Sequence, residues 1–204
     1  MKTKILTPTK ENILKVLKCL KEEQAVVCPT ETVYGLVADA FSENAIESVF
    51  KVKQRDKEKP LSCNIGDLDM LYRLTSFSSL LFKRLTEMFW PGPLTIVVEK
   101  LPTVLDLVTA KKKTVAIRFS SNLILKELTN LFGGPLVVPS ANISCMKSFV
   151  NAYDVYNELC GRIKYIIDGG ECEFKKESTI ISVEGENFEI LREGVIKKEE
   201  IECL

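Results

Sequence analysis

Pro29-Thr30-Glu31-Thr32-Val33-Tyr34-Gly35-Leu36 follows directly on the apolar, β-branched run Ala25-Val26-Val27-Cys28. That run has the length and composition of a buried strand. Threonine hydroxyls, a carboxylate and a glycine therefore collect where a strand ends, and in open α/β sheets small ligands bind at strand ends. The same residues also read as a polar loop in which Thr30 or Thr32 caps a turn. Their composition does not separate the two readings.

Outward from this stretch the chain alternates between helical and extended patterns. Upstream, Ile13, Leu14, Val16, Leu17 and Leu20 form a helical stripe within Lys10 to Glu23, with Thr9 as its cap. Downstream, Ser42 is placed to cap a helix whose Ile46, Val49 and Phe50 face a core and whose end delivers Lys53 and Arg55. The run from Lys51 to Lys59 is strongly basic and by itself reads as a solvated helix end. Leu61 to Ile65 is expected to be a strand, followed by short helices around Leu68 to Leu74 and Leu80 to Met88. Trp90-Pro91-Gly92-Pro93 stops the second of these and turns into the strand Leu94 to Val98, a structural role.

In Thr114 to Phe119 the apolar residues Val115, Ile117 and Phe119 alternate with Thr114, Ala116 and Arg118. Arg118 thus shares one strand face with a threonine and a small alanine. Its planar fork is matched to a carboxylate, although an exposed arginine on a half-buried strand gives the same pattern. Leu136 to Val138 is a second buried strand that stops at small polar residues, Pro139-Ser140-Ala141-Asn142. Backbone amides in such a turn can point at anionic oxygens, or the turn is simply capped. A helix near Ala152 to Leu159, a strand Tyr165 to Ile167 and two strands around Ser178 to Val183 and Phe188 to Leu191 complete the pattern. Glu184-Gly185-Glu186-Asn187 connects the last two, Arg192 follows, and Lys197 to Leu204 reads as a charged tail.

Length and composition narrow the function classes. At 204 residues, 46% of them apolar, the chain suits one α/β domain. Lys+Arg and Asp+Glu both number 28, so any basic site is local. The sequence contains no histidine, which removes Ser-His-Asp and Cys-His nucleophilic catalysis and histidine-ligated metals. The seven cysteines are scattered and never spaced C-x-x-C, and the amino terminus is not signal-like. Reduced thiols in a cytoplasmic protein are therefore expected. No apolar run approaches the roughly 18 residues of a membrane span.

The stretch 29–36 matches more than a generic strand end. With Lys53-Gln54-Arg55 before Pro60-Leu61, Trp90-Pro91-Gly92-Pro93-Leu94-Thr95, Thr114-Val115-Ala116-Ile117-Arg118, Pro139-Ser140-Ala141-Asn142, Glu177-Ser178-Thr179 and Leu191-Arg192, it resembles the YrdC-like family of threonylcarbamoyl-AMP synthases. That family opens its catalytic domain with PTETVYGL. The resemblance implies a single YrdC-like α/β domain with a twisted, mixed, open sheet, flanking helices and a basic concave cleft.

It also implies condensation of L-threonine with bicarbonate or carbon dioxide and ATP to threonylcarbamoyl-adenylate and pyrophosphate. The adenylate is then consumed by a downstream threonylcarbamoyl-transferase machinery that modifies tRNA. Carried over by residue, the threonine site falls on Thr32, Asn64, Arg118, Ser140 and Ser178. The ATP site falls on Lys53, Arg55, Lys59, Thr114, Asn142 and Arg192, with Lys53 and Arg55 as the catalytic pair and Mg2+ arriving with the ATP. The chain departs from the family pattern at Lys59, where asparagine is common, at Asn64, where histidine is common, and at Glu193, where proline is common. Two other classes stand beside this one: a tRNA or double-stranded RNA binder without catalysis, and a carbamoyl-transfer module of the hydrogenase-maturation type. The neutral net charge weighs against the first, and the absence of accompanying zinc-finger and acylphosphatase domains against the second.

Overall fold

The computed structural model describes residues 2–203. Its strands are β1 (Lys4–Leu6), β2 (Val26–Cys28), β3 (Gly35–Asp39), β4 (Ser62–Asn64), β5 (Leu94–Glu99), β6 (Thr114–Arg118), β7 (Leu136–Val137), β8 (Tyr165–Ile167), β9 (Thr179–Glu184) and β10 (Asn187–Arg192). They form one sheet in the order β1-β8-β2-β3-β7-β4-β6-β5-β9-β10. The β1/β8, β8/β2, β4/β6 and β5/β9 pairs are parallel and the others antiparallel. The sheet is mixed and open, as the resemblance implies.

Period-two alternation sorts side chains to its two faces. Val26, Cys28 and Val37 meet α1 (Lys10–Lys21) and α5 (Leu123–Phe132) through Ile13, Val16, Leu20, Leu125 and Leu128. Val27, Leu36 and Ala38 join a larger cluster that includes Ile46, Val49 and Phe50 of α2 (Glu43–Lys53), Phe82 and Leu85 of α3 (Leu80–Phe89) and Val155 of α6 (Ala152–Leu159). The expected caps are present: the Thr9 hydroxyl accepts from Asn12 N at 3.3 Å and that of Ser42 from Ala45 N at 3.1 Å. Leu14, assigned to the buried stripe of α1, instead sits at its edge and is about half exposed.

Four features differ from the sequence reading. The stretch 29–36 is not loop throughout: Gly35 and Leu36 already belong to β3, to which the sequence reading assigned nothing and which pairs antiparallel with β2 through Cys28↔Gly35. Residues 29–34 are thus a loop joining two adjacent strands. The sequence reading assigns nothing to β1, to α5 or to α4 (Asp106–Thr109), all of which are present. The charged tail carries α7 (Lys198–Glu202), which buries Ile201 in the larger core. Ile196 just before it is buried in the same core, so the two isoleucines pin down a turn of helix that composition marks as solvated.

Candidate active-site cleft

Beside the 29–34 loop lies a cleft of about 380 Å3, lined by residues from that loop, the segment after α2, β5, β6, β9, the turn after β7 and the end of β10. The loop is built by Thr30. Its hydroxyl donates to Val33 O at 2.7 Å and accepts from Thr32 N at 3.0 Å and Val33 N at 3.2 Å. This is the turn-forming role open to a threonine. With the Thr30 proton committed to Val33 O, the Thr32 hydroxyl donates to Thr30 across 2.8 Å and presents lone pairs to the cleft. Both threonines line the cleft, but Thr30 spends its hydroxyl on the turn, whereas Thr32 is the one with an acceptor to spare.

Next to the loop runs the Pro139-Ser140-Ala141-Asn142 turn. It is zipped to the start of β3: Leu36 N donates to Pro139 O at 2.8 Å and Ala141 N to Tyr34 O at 2.7 Å. Gly35 permits this approach, because a Cβ there would lie 2.4 Å from Val138 Cγ1. Lys53 fastens the same turn from beneath. Its ammonium donates to Ser140 O and, at 2.8 Å, to Asn142 O, and the side chain is 1% exposed. Burial and the neighbouring Arg55 bring its pKa down to about 8. The sequence reading set Lys53 on a solvated helix end or against a triphosphate; the structure places it inside the protein, off the cleft wall.

Arg55 does line the cleft, tethered by Nη2 to Pro60 O at 2.9 Å and by Nε to Lys59 O at 3.3 Å, and burial lowers its pKa. Lys59 lies beside it, with Nζ 3.6 Å from the exposed Cys145 thiol. Burial raises all four buried thiols, Cys19, Cys28, Cys63 and Cys172, whereas the Ser144 hydroxyl and Lys59 lower that of Cys145.

Arg118 projects from β6 on the half-buried face, as its alternation predicts, and reaches the cleft. Its guanidinium is already engaged. Nη2 lies 2.7 Å from Glu31 Oε1, and Nε donates to Gly92 O at 3.3 Å. The 90–93 turn, read as purely structural, thus also steadies this arginine. The other Glu31 oxygen accepts from the Ser120 hydroxyl. Burial by itself would raise the Glu31 carboxyl, but Arg118 and Ser120 outweigh it and hold the pKa below the usual carboxylate range.

Arg192 forms a second pair with a carboxylate. Nη1 lies 2.6 Å from Glu177 Oε2, while Nη2 donates to Ser178 O at 2.9 Å and Ser178 Oγ at 3.2 Å. A bulge between Ile190 and Arg192 breaks the β9/β10 register, and the successive residues Leu191 and Arg192 both line the cleft. Ser178 in turn lies 2.9 Å from Thr95 Oγ1, and Ser148 donates to Glu177 Oε1 at 2.6 Å.

The structure therefore gathers Thr32, Arg55, Lys59, Arg118, Ser140, Ser178 and Arg192 around one cleft. Lys53, Asn64, Thr114 and Asn142 are not among the lining residues. Asn64 is buried, its Oδ1 accepting from Ser120 N at 3.4 Å, and Thr114 stands at the far end of β6, opposite Glu99. Asn142 is turned inward to Ile143 O and Met146 O, at 2.9 and 2.6 Å. Sequence reasoning missed Glu31, Glu177 and Thr95. A carboxylate between two site threonines was the available signal for Glu31, and adjacency to Ser178 the one for Glu177.

The sequence model of the Sua5/YciO/YrdC family, described as telomere recombination, matches residues 18–194. The chain belongs to this family. A threonylcarbamoyl-AMP synthase of Pyrococcus abyssi is 39% identical over 183 residues, covering 90% of this chain and 54% of that protein. One of Vibrio vulnificus is 34% identical over 185 residues, covering 90% of this chain and 98% of its own length. The crystal structure of P. abyssi Sua5 complexed with L-threonine superposes with a TM-score of 0.95 at 36% identity, over 98% of this chain and 60% of that one. This chain thus spans little more than half of the P. abyssi protein and nearly all of the shorter bacterial one. Among the described residues no helix is long and apolar enough to cross a membrane.

Proposed function

We propose that this chain is a threonylcarbamoyl-AMP synthase: it condenses L-threonine, bicarbonate or carbon dioxide, and ATP into threonylcarbamoyl-adenylate and pyrophosphate, with water released where bicarbonate is the carbon source. The observation that carries this reading is the cleft itself. Arg55, Lys59, Arg118 and Arg192 line it together with Thr32, Ser140 and Ser178, in a family whose P. abyssi member has been crystallised with L-threonine.

The chemistry suits that inventory. The threonine amine takes up carbon dioxide as a carbamate, and a carbamate oxygen attacks the α-phosphorus of ATP and expels pyrophosphate. No protein nucleophile is needed, so the protein's task is to hold two anions against each other. Positioning of that kind contributes on the order of 7–11 kcal/mol.

In this reading Arg118 takes the threonine carboxylate, Thr32 accepts from the amine, and Ser140 and Ser178 frame the substrate. Arg55, Lys59 and Arg192 take the phosphates. Lys53, Asn142 and Asn64 act from behind, the first two by holding the Pro139–Asn142 turn. Of the lining residues Glu177 alone is acidic, and no group of three or more His, Cys, Asp or Glu among the described residues could hold a metal ion. That donor set fits Mg2+ carried in by the triphosphate and held mainly by phosphate oxygens and water. There it neutralises phosphate charge.

The test is pyrophosphate release by the pure protein with ATP, threonine and bicarbonate, omitting each in turn. Release that depends on all three supports the synthase; equal release without threonine overturns it. Salt-steep RNA binding with no pyrophosphate formed supports an RNA binder instead.

A further inference from the structure

A guanidinium fork fits a phosphate as well as it fits a carboxylate, so Arg118 alone cannot tell the two apart. The cleft makes this acute. Arg55, Lys59 and Arg192 line the same 380 Å3 space as Arg118, and a polyanion held by the first three would gain from the fourth.

Arg118 differs from Arg55 and Lys59 in being paired with a carboxylate, and from Arg192 in that this carboxylate is buried behind it instead of lining the cleft. Glu31 is 4% exposed and is not on the cleft wall, yet its carboxylate lies 2.7 Å from Arg118 Nη2 and is anchored by the Ser120 hydroxyl. We propose that Glu31 is a specificity-determining residue: its buried charge cancels that of Arg118, so that this side of the cleft admits a zwitterionic α-amino acid and rejects phosphoanions. The inference rests on the function proposed above.

An amino acid brings a carboxylate that Glu31 repels and an ammonium that it attracts, and the two contributions largely cancel. A phosphoanion brings only the repelled charge. Unit charges about 6 Å apart at an effective dielectric of about 20 change a binding constant by about 100-fold, which cleft water and ions reduce to about 10-fold.

Calorimetric titration of the full chain with inorganic pyrophosphate, with and without saturating threonine, tests this without turnover. In the wild type pyrophosphate and threonine bind side by side, and threonine shifts the apparent pyrophosphate affinity by less than about twofold. In Glu31→Gln, pyrophosphate also occupies the Arg118 side, and threonine weakens its apparent affinity by about 10-fold or more. Glu31→Asp, which retains the charge, behaves as the wild type. If Glu31→Gln does not fold, Ser120→Ala, which only loosens the carboxylate, gives a smaller shift of about two- to fivefold in the same direction. Competition already present in the wild type, or absent from Glu31→Gln and from Ser120→Ala, overturns the proposal. Failure of the wild type to bind threonine at all overturns the synthase reading with it, and is a distinct result.

Discussion

Two arginine–carboxylate pairs flank the same cleft, and they are built differently. Arg118 and Glu31 pair at 2.7 Å with side chains 11% and 3% exposed, whereas Arg192 and Glu177 pair at 2.6 Å with side chains 41% and 37% exposed. Distance is therefore not what separates them. A buried pair costs desolvation that its attraction barely offsets, but removing one partner strands the other charge. A half-exposed pair gains little and can exchange partners at small cost. The first pair is fixed; under the proposed function the second leaves Arg192 free to turn to a triphosphate.

The sharpest way to break this contrast is to delete each arginine. Arg118→Ala leaves Glu31 buried without its counter-ion and is expected to lower unfolding free energy by about 3–5 kcal/mol. Arg192→Ala is expected to change it by no more than about 1 kcal/mol. Denaturant unfolding of both variants measures the difference, and equal losses would remove the distinction.

Function should divide along the same line. Arg118→Lys retains charge but loses the fork, so the KM for threonine is expected to rise about 10- to 100-fold with the KM for ATP nearly unchanged. Arg192→Lys should do the reverse, about 10-fold on ATP. Initial-rate kinetics with each substrate varied separates the two, and a swapped pattern would exchange the assignments.

The acid limb of stability provides a finer contrast. The Glu31 carboxyl has a folded pKa below its unfolded value of about 4.3, so the unfolded chain binds more protons as pH falls. Its stabilising contribution is therefore complete above about pH 5 and is lost as pH drops through the lowered folded pKa. Glu31→Gln is expected to flatten that part of the pH–stability curve, read by thermal melts between about pH 2 and pH 6. An unchanged acid limb would mean that Glu31 and Arg118 do not interact as a charged pair.

Much of this arrangement was legible before the structure, for a physical reason. Alternation along β6 put Arg118 on the half-buried face, and the hydroxyls of Thr32 and Ser140 sat where apolar strands stop. Such signals are local, because side-chain direction follows from backbone period. What stayed hidden was long-range. Lys53 sits in a basic run that reads as solvated, yet it crosses 87 positions to the Ser140 carbonyl. Glu31 meets Ser120 from 89 positions away, and Asn64 meets the backbone of Ser120 rather than the cleft. In sequence a charge that faces a ligand looks the same as one that ties down a turn. The strand after the 29–34 loop went unassigned for a different reason: β3 is fully apolar except at Asp39, and a strand beginning with Gly-Leu-Val-Ala carries no alternation to announce it.

The smallest expected effect falls on Glu177. Its carboxylate is shared between Arg192 at 2.6 Å and the Ser148 hydroxyl at 2.6 Å, and both ion-pair side chains are more than a third exposed. Glu177→Gln keeps an acceptor for Ser148 and should cost stability no more than about 1 kcal/mol. Its effect on ATP has two parts of opposite sign. Losing a negative charge on the cleft wall favours the triphosphate, while loosening Arg192 disfavours it by making the fork less ordered. Ser178 still holds Nε and Nη2 of Arg192 through its carbonyl, at 3.2 and 2.9 Å, so most of the order survives without Glu177. The charge effect should win, and ATP affinity is expected to rise about two- to fivefold, fading as ionic strength rises toward 1 M. A fall in ATP affinity at every salt concentration would instead make Glu177 a fixed support of Arg192, and the two pairs would then be of one kind.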